Sequence, residues 1–474
     1  MTPKFAVVGH PNKGKSSIVS TLAEDASVAI SATPGTTTKA RHFPLKVDGQ
    51  LIYELIDTPG FQRPQQVLAW MQAQSQQASD RADVVAKFVE MHQTDKKYHD
   101  ECELLKPLVD GAGILYVVDG SRPFGPEYET EMQILRWTGQ PRMALINLIG
   151  EKDHSDDWRR ALDQYFSLVR VFDAMHADVD TRLALLRSFS QIHPPWQSAI
   201  EHAVSVLEQE YSRRRRNSAN RISELLDVVL CGTERRTIDE SDNINTVQTA
   251  LEARLRNRLR EEEVRTHRDI TAIYRHSDAQ IGDLDITPLS ADPFSRESES
   301  LFGLTKLQLA ATGAVSGGIA GTGIDVMVGG TSLMAGAVLG AVIGSLSAVF
   351  GSDKLGKIKV LGQSLGEKTL IVGPFKSPNL PWVMLARCLL LHQVVSERNH
   401  ARRDAIIVDT GSSSNLAGLL EKSVREKFER EFTTLRNDAG DGDKAALREL
   451  IFEVLGRSFV PNKPAPSLPE EPKA

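Results

Sequence analysis

Lys4-Phe5-Ala6-Val7-Val8-Gly9-His10-Pro11-Asn12-Lys13-Gly14-Lys15-Ser16-Ser17 is the stretch from which the rest of the chain can be read. Phe5 to Val8 is a short apolar run with the character of a buried strand. Gly9 follows, then four residues, then Gly14-Lys15-Ser16, and a helical pattern continues to Leu22. This is the complete G-x-x-x-x-G-K-[ST] spacing of a phosphate-binding loop. Its glycines let the backbone curl until several N–H groups point at one anion. Lys15 then reaches the β- and γ-phosphates, and the Ser16 hydroxyl ligates Mg²⁺. The bland alternative is a glycine turn between strand and helix. A strand before the loop and a helix after it, at full spacing, argue against that alternative.

Downstream, Ala32-Thr33-Pro34-Gly35-Thr36-Thr37-Thr38-Lys39 is rich in turn formers and hydroxyls, as a loop that places one hydroxyl on Mg²⁺ needs to be. His42–Val47 and Leu51–Ile56 flank Asp48-Gly49-Gln50, and Asp-Gly between two alternating apolar runs predicts a hairpin. The second run ends in Asp57-Thr58-Pro59-Gly60. A carboxylate at a strand's carboxyl end can hold Mg²⁺ through a water, and the glycine N–H can sense the γ-phosphate. Strands at Ala112–Val118, Arg142–Asn147 and Arg170–Ala174 alternate with helices at Glu127–Trp137, Trp158–Val169 and Asp180–Phe189, with Asp180 as N-cap. Strand–helix alternation predicts a doubly wound α/β domain with the phosphate site at the strands' carboxyl ends. Between residues 61 and 110, helically spaced apolar residues predict one or two extra helices in the connection after Gly60, either a lever for the nucleotide state or a passive insertion.

Gly9–Ser17, Pro34-Gly35-Thr36-Thr37-Thr38 and Asp57–Gly60 resemble the first three signatures of the Era/TrmE-like branch of translation-factor-class GTPases, over roughly the first 180 residues. The resemblance implies a P-loop NTPase domain that binds GTP and GDP. It implies phosphate-loop contacts from Gly9, His10, Pro11, Asn12, Lys13, Gly14, Lys15, Ser16 and Ser17. Mg²⁺ would be held by Ser16, Asp57 and Thr37, with Thr36 and Thr38 competing for the last place. Lys15, Thr37 and Gly60 are the implied catalytic set. Asn12 matches a residue that helps bind K⁺ in several members; as a plain turn former after Pro11 it needs no ion. Two departures matter. Phe61 stands where Ras-like enzymes carry the water-orienting glutamine, and an apolar side chain cannot orient water. Gln62 is out of phase to replace it. The expected turnover is therefore slow and dependent on a cation, a partner or a nucleotide-dependent dimer. The guanine-reading motif Asn-Lys-x-Asp is reduced to Asn147-Leu148-Ile149-Gly150, with Glu151 and Asp153 just beyond. Loss of the carboxylate that grips the guanine edge leaves the base open between GTP, ATP and a permissive site. Ala174 matches the family's base-supporting loop, with Asp173 where serine is usual.

The whole chain has 474 residues and a formal net charge of −6, which sets a prior of several domains and makes a general nucleic-acid binder unlikely by electrostatics alone. Cys102, Cys231 and Cys388 lie far apart without metal-ligand or disulfide spacing, as expected in a reducing compartment. No secretory apolar segment opens the sequence, and the expected location is cytoplasmic, at the inner face of the membrane in the membrane-associated reading.

Residues 198–295 read as a charged helical region ending in a linker. Arg213-Arg214-Arg215-Arg216 and the stripe Ile244, Val247, Leu251, Leu255 suggest solvated helices with one packed face. Within 296–360, Leu307–Ile324 and Val326–Ser352 carry no charge. Gly313, Gly317 and Gly321 recur every four residues, as do Gly336, Gly340 and Gly344. That spacing places each set on one helix face and predicts a tightly packed glycine-rich helical hairpin, in lipid or in a soluble domain. Residues 361–460 read as helical, with a strand at Thr369–Val372, helices at Leu380–Ala405, Leu416–Leu435 and Lys444–Leu455, and His392 and His400 as surface or packing residues. Residues 461–474 are proline-rich, the composition of a disordered tail. The C-terminal half loosely resembles the uncharacterised domain found beside some bacterial GTPases of this branch.

The resulting expectation is an α/β P-loop NTPase domain over 1–197, with an insertion at 61–110, followed by a mainly α-helical half. Its implied role is a slow GTP-hydrolysing switch associated with a membrane through the glycine-rich hairpin. A soluble GTPase that assists RNA or ribosome maturation, or a nucleotide-binding scaffold with little turnover, are the alternatives.

Overall fold

A computed structural model describes residues 2–24, 37–150, 152–175, 177–239, 241–274, 287–312, 347–350, 359–360, 363–364, 368–397, 415–437 and 444–457. The chain divides into two compact units. The first is built on Met1–Ser212; the second on Arg213–Ser396 with the C-terminal helices. The division falls inside one helix, Gln197–Cys231.

The first unit is organised on a six-stranded sheet of order β2-β3-β1-β4-β5-β6. The strands are β1 (Lys4–Val8), β2 (Arg41–Val47), β3 (Gln50–Asp57), β4 (Gly113–Asp119), β5 (Arg142–Asn147) and β6 (Leu168–Val171). Only β2 runs antiparallel to its neighbour. It is joined to β3 through Asp48 and Gly49, whose φ angles of 49° and 82° are both left-handed, as a hairpin turn twisted with its strands requires. The central strands are buried on both faces because helices cover both. Period-two alternation splits them: Ala6, Val8, Ile114 and Tyr116 enter one core, and Phe5, Val7, Leu115 and Val117 the other. Helix α1 (Lys15–Ala23) follows the phosphate loop directly.

Three helices fill the β3–β4 connection: α2 (Pro64–Gln74), α3 (Arg81–His92) and α4 (His99–Val109). They share the first core with the sheet through Phe61, Val67, Met71, Val85, Phe88, Leu104 and Leu105, so the insertion is part of the hydrophobic interior. Beyond them lie α5 (Glu127–Trp137), α6 (Ser155–Leu162) and α7 (Val179–Ile192). Two local expectations need correction. The helix at Trp158 ends at Leu162 and does not reach Val169, because Val169 pairs with Ala144 of β5. The cap of α7 is Asp178 and not Asp180: the Asp178 carboxylate accepts from Thr181 N at 2.7 Å.

The second unit contains most of α8 (Gln197–Cys231), α9 (Ile244–Ile273), α10 (Arg296–Phe302), α11 (Lys306–Ala311), α12 (Leu380–Glu397), α13 (Lys422–Asn437) and α14 (Ala445–Leu455). The 198–295 region is not wholly helical. Glu234–Ile238 forms β7, which pairs antiparallel with a strand at Lys368–Val372; that strand pairs in turn with β8, Ser347–Phe350. Glu-Arg-Arg-Thr-Ile lacks apolar alternation, so nothing local marks β7 as a strand. The charge-free segment ends in β8 and not in helix, while residues 313–346, which carry all six spaced glycines, lie outside the described residues. A helix at Leu416 is also corrected: a 3-10 turn at Leu416–Leu419 precedes α13.

Helix α12 is the axis of the second core. Its residues from Leu380 to Gln393 are buried, and Trp382, Leu385 and Leu389 pack with Leu226, Leu259, Phe428, Phe432 and Ile451. Arg387 and His392 are among the polar residues buried in it. Arg387 donates to Glu263 Oε1 at 2.5 Å, Ser298 Oγ at 3.3 Å and the Leu289 carbonyl at 2.8 Å. His392 Nε2 lies 2.8 Å from the Tyr274 hydroxyl, which makes it a buried packing residue. Among the described residues no helix is long and apolar enough to cross a membrane.

Candidate functional site

The phosphate loop occupies the carboxyl end of β1. Gly9 has φ 139° and Gly14 φ 81°, conformations that side chains rarely adopt. A Cβ on Gly9 would also meet the Val117 carbonyl, and one on Gly14 the Asn147 amide. Asn12 takes φ 58° and is exposed. The loop thus turns its backbone inward, and Lys15 folds over it: Nζ donates to the carbonyls of Gly9 at 3.2 Å and His10 at 3.0 Å. Burial pulls the Lys15 ammonium down to about 8, partly offset by Asp57 and Glu131. A buried cation at the start of a helix, on a loop of this spacing, suits phosphate oxygens.

Asp57 ends β3 beside α1. Its Oδ2 accepts from Ser16 Oγ at 2.9 Å and from Thr37 Oγ1 at 3.1 Å. Burial raises the Asp57 carboxyl, against the pull of Ser16, Lys15 and Thr37. Its Oδ1 is buried and meets no donor among the described residues. Two hydroxyls and a carboxylate with an open oxygen form a hard-oxygen set that fits Mg²⁺. When bound there, Mg²⁺ neutralises charge on the oxygens of a triphosphate. Thr37 is on Asp57 and the Thr38 carbonyl faces His99; Thr36 lies outside the described residues. Gly60 sits against the phosphate loop, where a Cβ would come 2.6 Å from Pro11 N. Phe61 is turned into the core at 1% exposure, and the Gln62 side chain is exposed.

Asn147 lies at the end of β5 beside the phosphate loop. Its Nδ2 donates to the Lys13 carbonyl at 3.3 Å, and its Oδ1 accepts from Ala174 N at 3.3 Å. One buried amide therefore joins phosphate loop, β5 and the loop after β6. Gly150 packs against Ser121, with a Cβ position 3.1 Å from Ser121 Cβ. Glu151 lies outside the described residues. Asp153 is exposed, and its Oδ1 accepts from Ser155 N at 2.8 Å, just ahead of α6. Asp173 Oδ1 accepts from Met175 N at 2.8 Å.

A second layer of carboxylates behind the loop has no counterpart in the sequence reading. Glu131 of α5 accepts from His10 Nδ1 at 2.8 Å and from the Tyr116 hydroxyl at 2.9 Å. Asp119 pairs with Lys13 at 3.6 Å, both buried, and accepts from Ser121 N at 3.0 Å. Burial lowers the Lys13 ammonium while Asp119 supports it. The signal was available: Glu131 shares the helical phase of Tyr128, Met132 and Leu135, so a carboxylate stands in an apolar stripe.

Comparison with known proteins adds a family to this geometry. Residues 4–148 match the family model described as a 50S ribosome-binding GTPase, and residues 159–452 the model described as a domain of unknown function, DUF3482. Among curated relatives, GTPase Der of Mycoplasma pneumoniae is 33% identical over 119 residues, which are 24% of this chain and 26% of that protein. GTPase Der of Burkholderia ambifaria is 28% identical over 149 residues, 31% of this chain and 27% of that protein. The chain thus spans about a quarter of the length of these relatives. A solved structure of Aquifex aeolicus Era bound to GDP and AlF4- aligns at 15% identity and TM-score 0.28, covering 57% of this chain and 89% of that one. The chain belongs to the DUF3482 family, which covers the greater part of its length, and carries a P-loop GTPase domain ahead of that region.

Proposed function

We propose that this protein binds GTP with Mg²⁺ and hydrolyses it slowly to GDP, as a switch whose state is passed on through the three-helix insertion. The observation that carries this reading is the meeting of Ser16 and Thr37 on Asp57, one oxygen of which is left open, with the Lys15 charge acting on the same carboxylate. In this reading Lys15 and the loop N–H groups hold the phosphates, and Gly60 reports the γ-phosphate. Ser16, Thr37 and Asp57 hold Mg²⁺. Phe61 supplies no water-orienting group, so basal turnover falls on the order of 10⁻⁴ to 10⁻² s⁻¹, the range of GTPases working without a partner. Asn12 is assigned to a K⁺ ion that speeds this step, together with dimerisation of the nucleotide domain. Equal rates in KCl and NaCl would remove the ion from the account.

The base is assigned as guanine from the GTPase family match and the place of Asn147. Competition of GTP, ATP and XTP for one fluorescent GDP analogue tests it; GTP should win by at least about tenfold. Membrane association is proposed from the composition of residues 307–351 alone. Liposome flotation of the full chain and of a version lacking 313–346 decides it: flotation by neither removes the membrane. The second reading, a GTPase acting on the ribosome, is favoured by the 50S-binding description of the family model matching residues 4–148. It predicts GTP-dependent co-sedimentation with the large ribosomal subunit.

A further inference from the structure

Helix α4 touches both segments that a nucleotide would order. On one side, His99 Nε2 donates to the Thr38 carbonyl at 3.0 Å, and Glu103 Oε2 accepts from Ala40 N at 2.9 Å. His99 and Glu103 are four residues apart, so they share a face of the helix. Thr38 and Ala40 directly follow Thr37, the Asp57 partner. On another face, Glu101 Oε1 accepts from Gln62 N at 3.0 Å and Arg63 N at 2.5 Å. Gln62 and Arg63 directly follow Gly60-Phe61. Glu101 is fully buried, and its Oε2 has no partner among the described residues. Arg63 closes the same corner through Nη1 to the Lys97 carbonyl at 2.9 Å.

A carboxylate at this place is costly unless it is used. Glu101 opens the apolar series Leu104, Leu105 and Leu108, all buried, so a hydrophobic residue would suit the packing there. Instead the site carries an acceptor for two adjacent backbone N–H groups that no secondary structure satisfies. The two sides of α4 thus hold the residues after Thr37 and those after Gly60 through one rigid element.

We propose that Glu101, Glu103 and His99 are positioning residues: they make α4 a clamp that couples the two nucleotide-sensing segments and delivers their joint state to the insertion. None of the three belongs to the phosphate loop, to the Ser16–Thr37–Asp57 set or to the surroundings of Asn147. Glu101 sets the backbone at 61–63, Glu103 and His99 set it at 38–40, and displacement of either pair is felt by the other through the helix. The proposal deepens the function proposed above and rests on it for the link to hydrolysis.

The test uses the full chain and two measurements. Amide exchange at Ala40, Gln62 and Arg63 is followed in nucleotide-free protein, with GDP, and with the non-hydrolysable analogue GMPPNP. GTP turnover is measured for Glu103→Ala, Glu101→Ala, Glu101→Gln and the double Ala variant. Glu103→Ala should speed exchange at Ala40 and also at Gln62 and Arg63, which it does not touch. It should lower kcat about tenfold, with KM and GDP affinity held within about twofold. Glu101→Gln keeps the acceptor oxygen and should restore protection and kcat where Glu101→Ala, if it folds, loses both. The double variant should cost less than the sum of the singles, as for groups acting through one element. Unchanged exchange at Gln62 and Arg63 in Glu103→Ala overturns the clamp, whatever the turnover. Exchange coupling in a wild type that hydrolyses no GTP leaves the clamp standing and overturns the proposed function.

Discussion

Lys15 shows most directly how burial and charge set the chemistry of the site. With its ammonium brought down to about 8, the free protein loses that charge as pH rises through 8, whereas a bound phosphate keeps it protonated. GDP affinity should therefore fall about tenfold between pH 7 and pH 9, measured by fluorescent-nucleotide titration. A flat profile would show that Lys15 does not carry the phosphate contact. The sign for stability is opposite: between about 8 and the unfolded value of 10.5 the unfolded chain holds the extra proton, so the folded state gains as pH rises. At Asp57, replacement by Asn removes the open carboxylate oxygen. Mg²⁺ should then tighten GTP binding by less than about threefold, against tenfold or more in wild type, read by titration with and without EDTA. That Ser16 and Asp57 would meet, with Lys15 folded over the loop, was legible because motif spacing fixes their places at the ends of β1 and β3. Glu131, Asp119 and Glu101 were not, since their partners lie in distant parts of the chain: Glu131 is 121 residues from His10. Only their place in apolar stripes gave them away.

At the level of elements, sequence periodicity served best where one face or one run is apolar. β1, the β2–β3 hairpin, α5 and α14 follow their patterns closely. It failed where an element is defined by its partner. β7 is a strand because Lys368–Val372 offers it a ladder, with Thr237 beside Thr369 and Arg235 beside Ile371. β6 ends the expected helix early for the same reason. Helix α12 carries the charged Arg387 in its middle, yet it is buried, and Glu263 of α9 neutralises that charge inside the second unit. Burial raises the Glu263 carboxyl and Arg387 draws it back. Removing one partner of such a pair leaves a bare buried charge. Arg387→Ala should cost about 3–5 kcal/mol in urea unfolding, and replacing both Arg387 and Glu263 with apolar residues should cost much less. Equal losses would contradict the pairing as the source of the effect.

For the molecule as a whole, two histidines of the second unit set a response to acid. His267 and His392 in the second unit are held down to about 3 by burial, so they stay neutral when folded. Below pH 6.5 the unfolded chain takes up protons that the folded unit refuses, and stability falls with pH at up to about 1.4 kcal/mol per unit for each histidine. A melting temperature of the second unit's transition that is the same at pH 7 and pH 5 would contradict this. The sequence pattern places a boundary near residue 197 and several regions beyond it, while the structure has two units that divide after Ser212, and the order of elements in the second unit depends on long-range pairing that no local signal carries. The central claim is that the phosphate loop, Thr37 and Asp57 form one GTP-hydrolysing site. Single-turnover conversion of GTP to GDP by the full chain with Mg²⁺ tests it most directly. The account predicts slow but complete conversion, reduced at least about a hundredfold in both Lys15→Ala and Asp57→Asn. No conversion by the wild type, or the same rate in either variant, would contradict it.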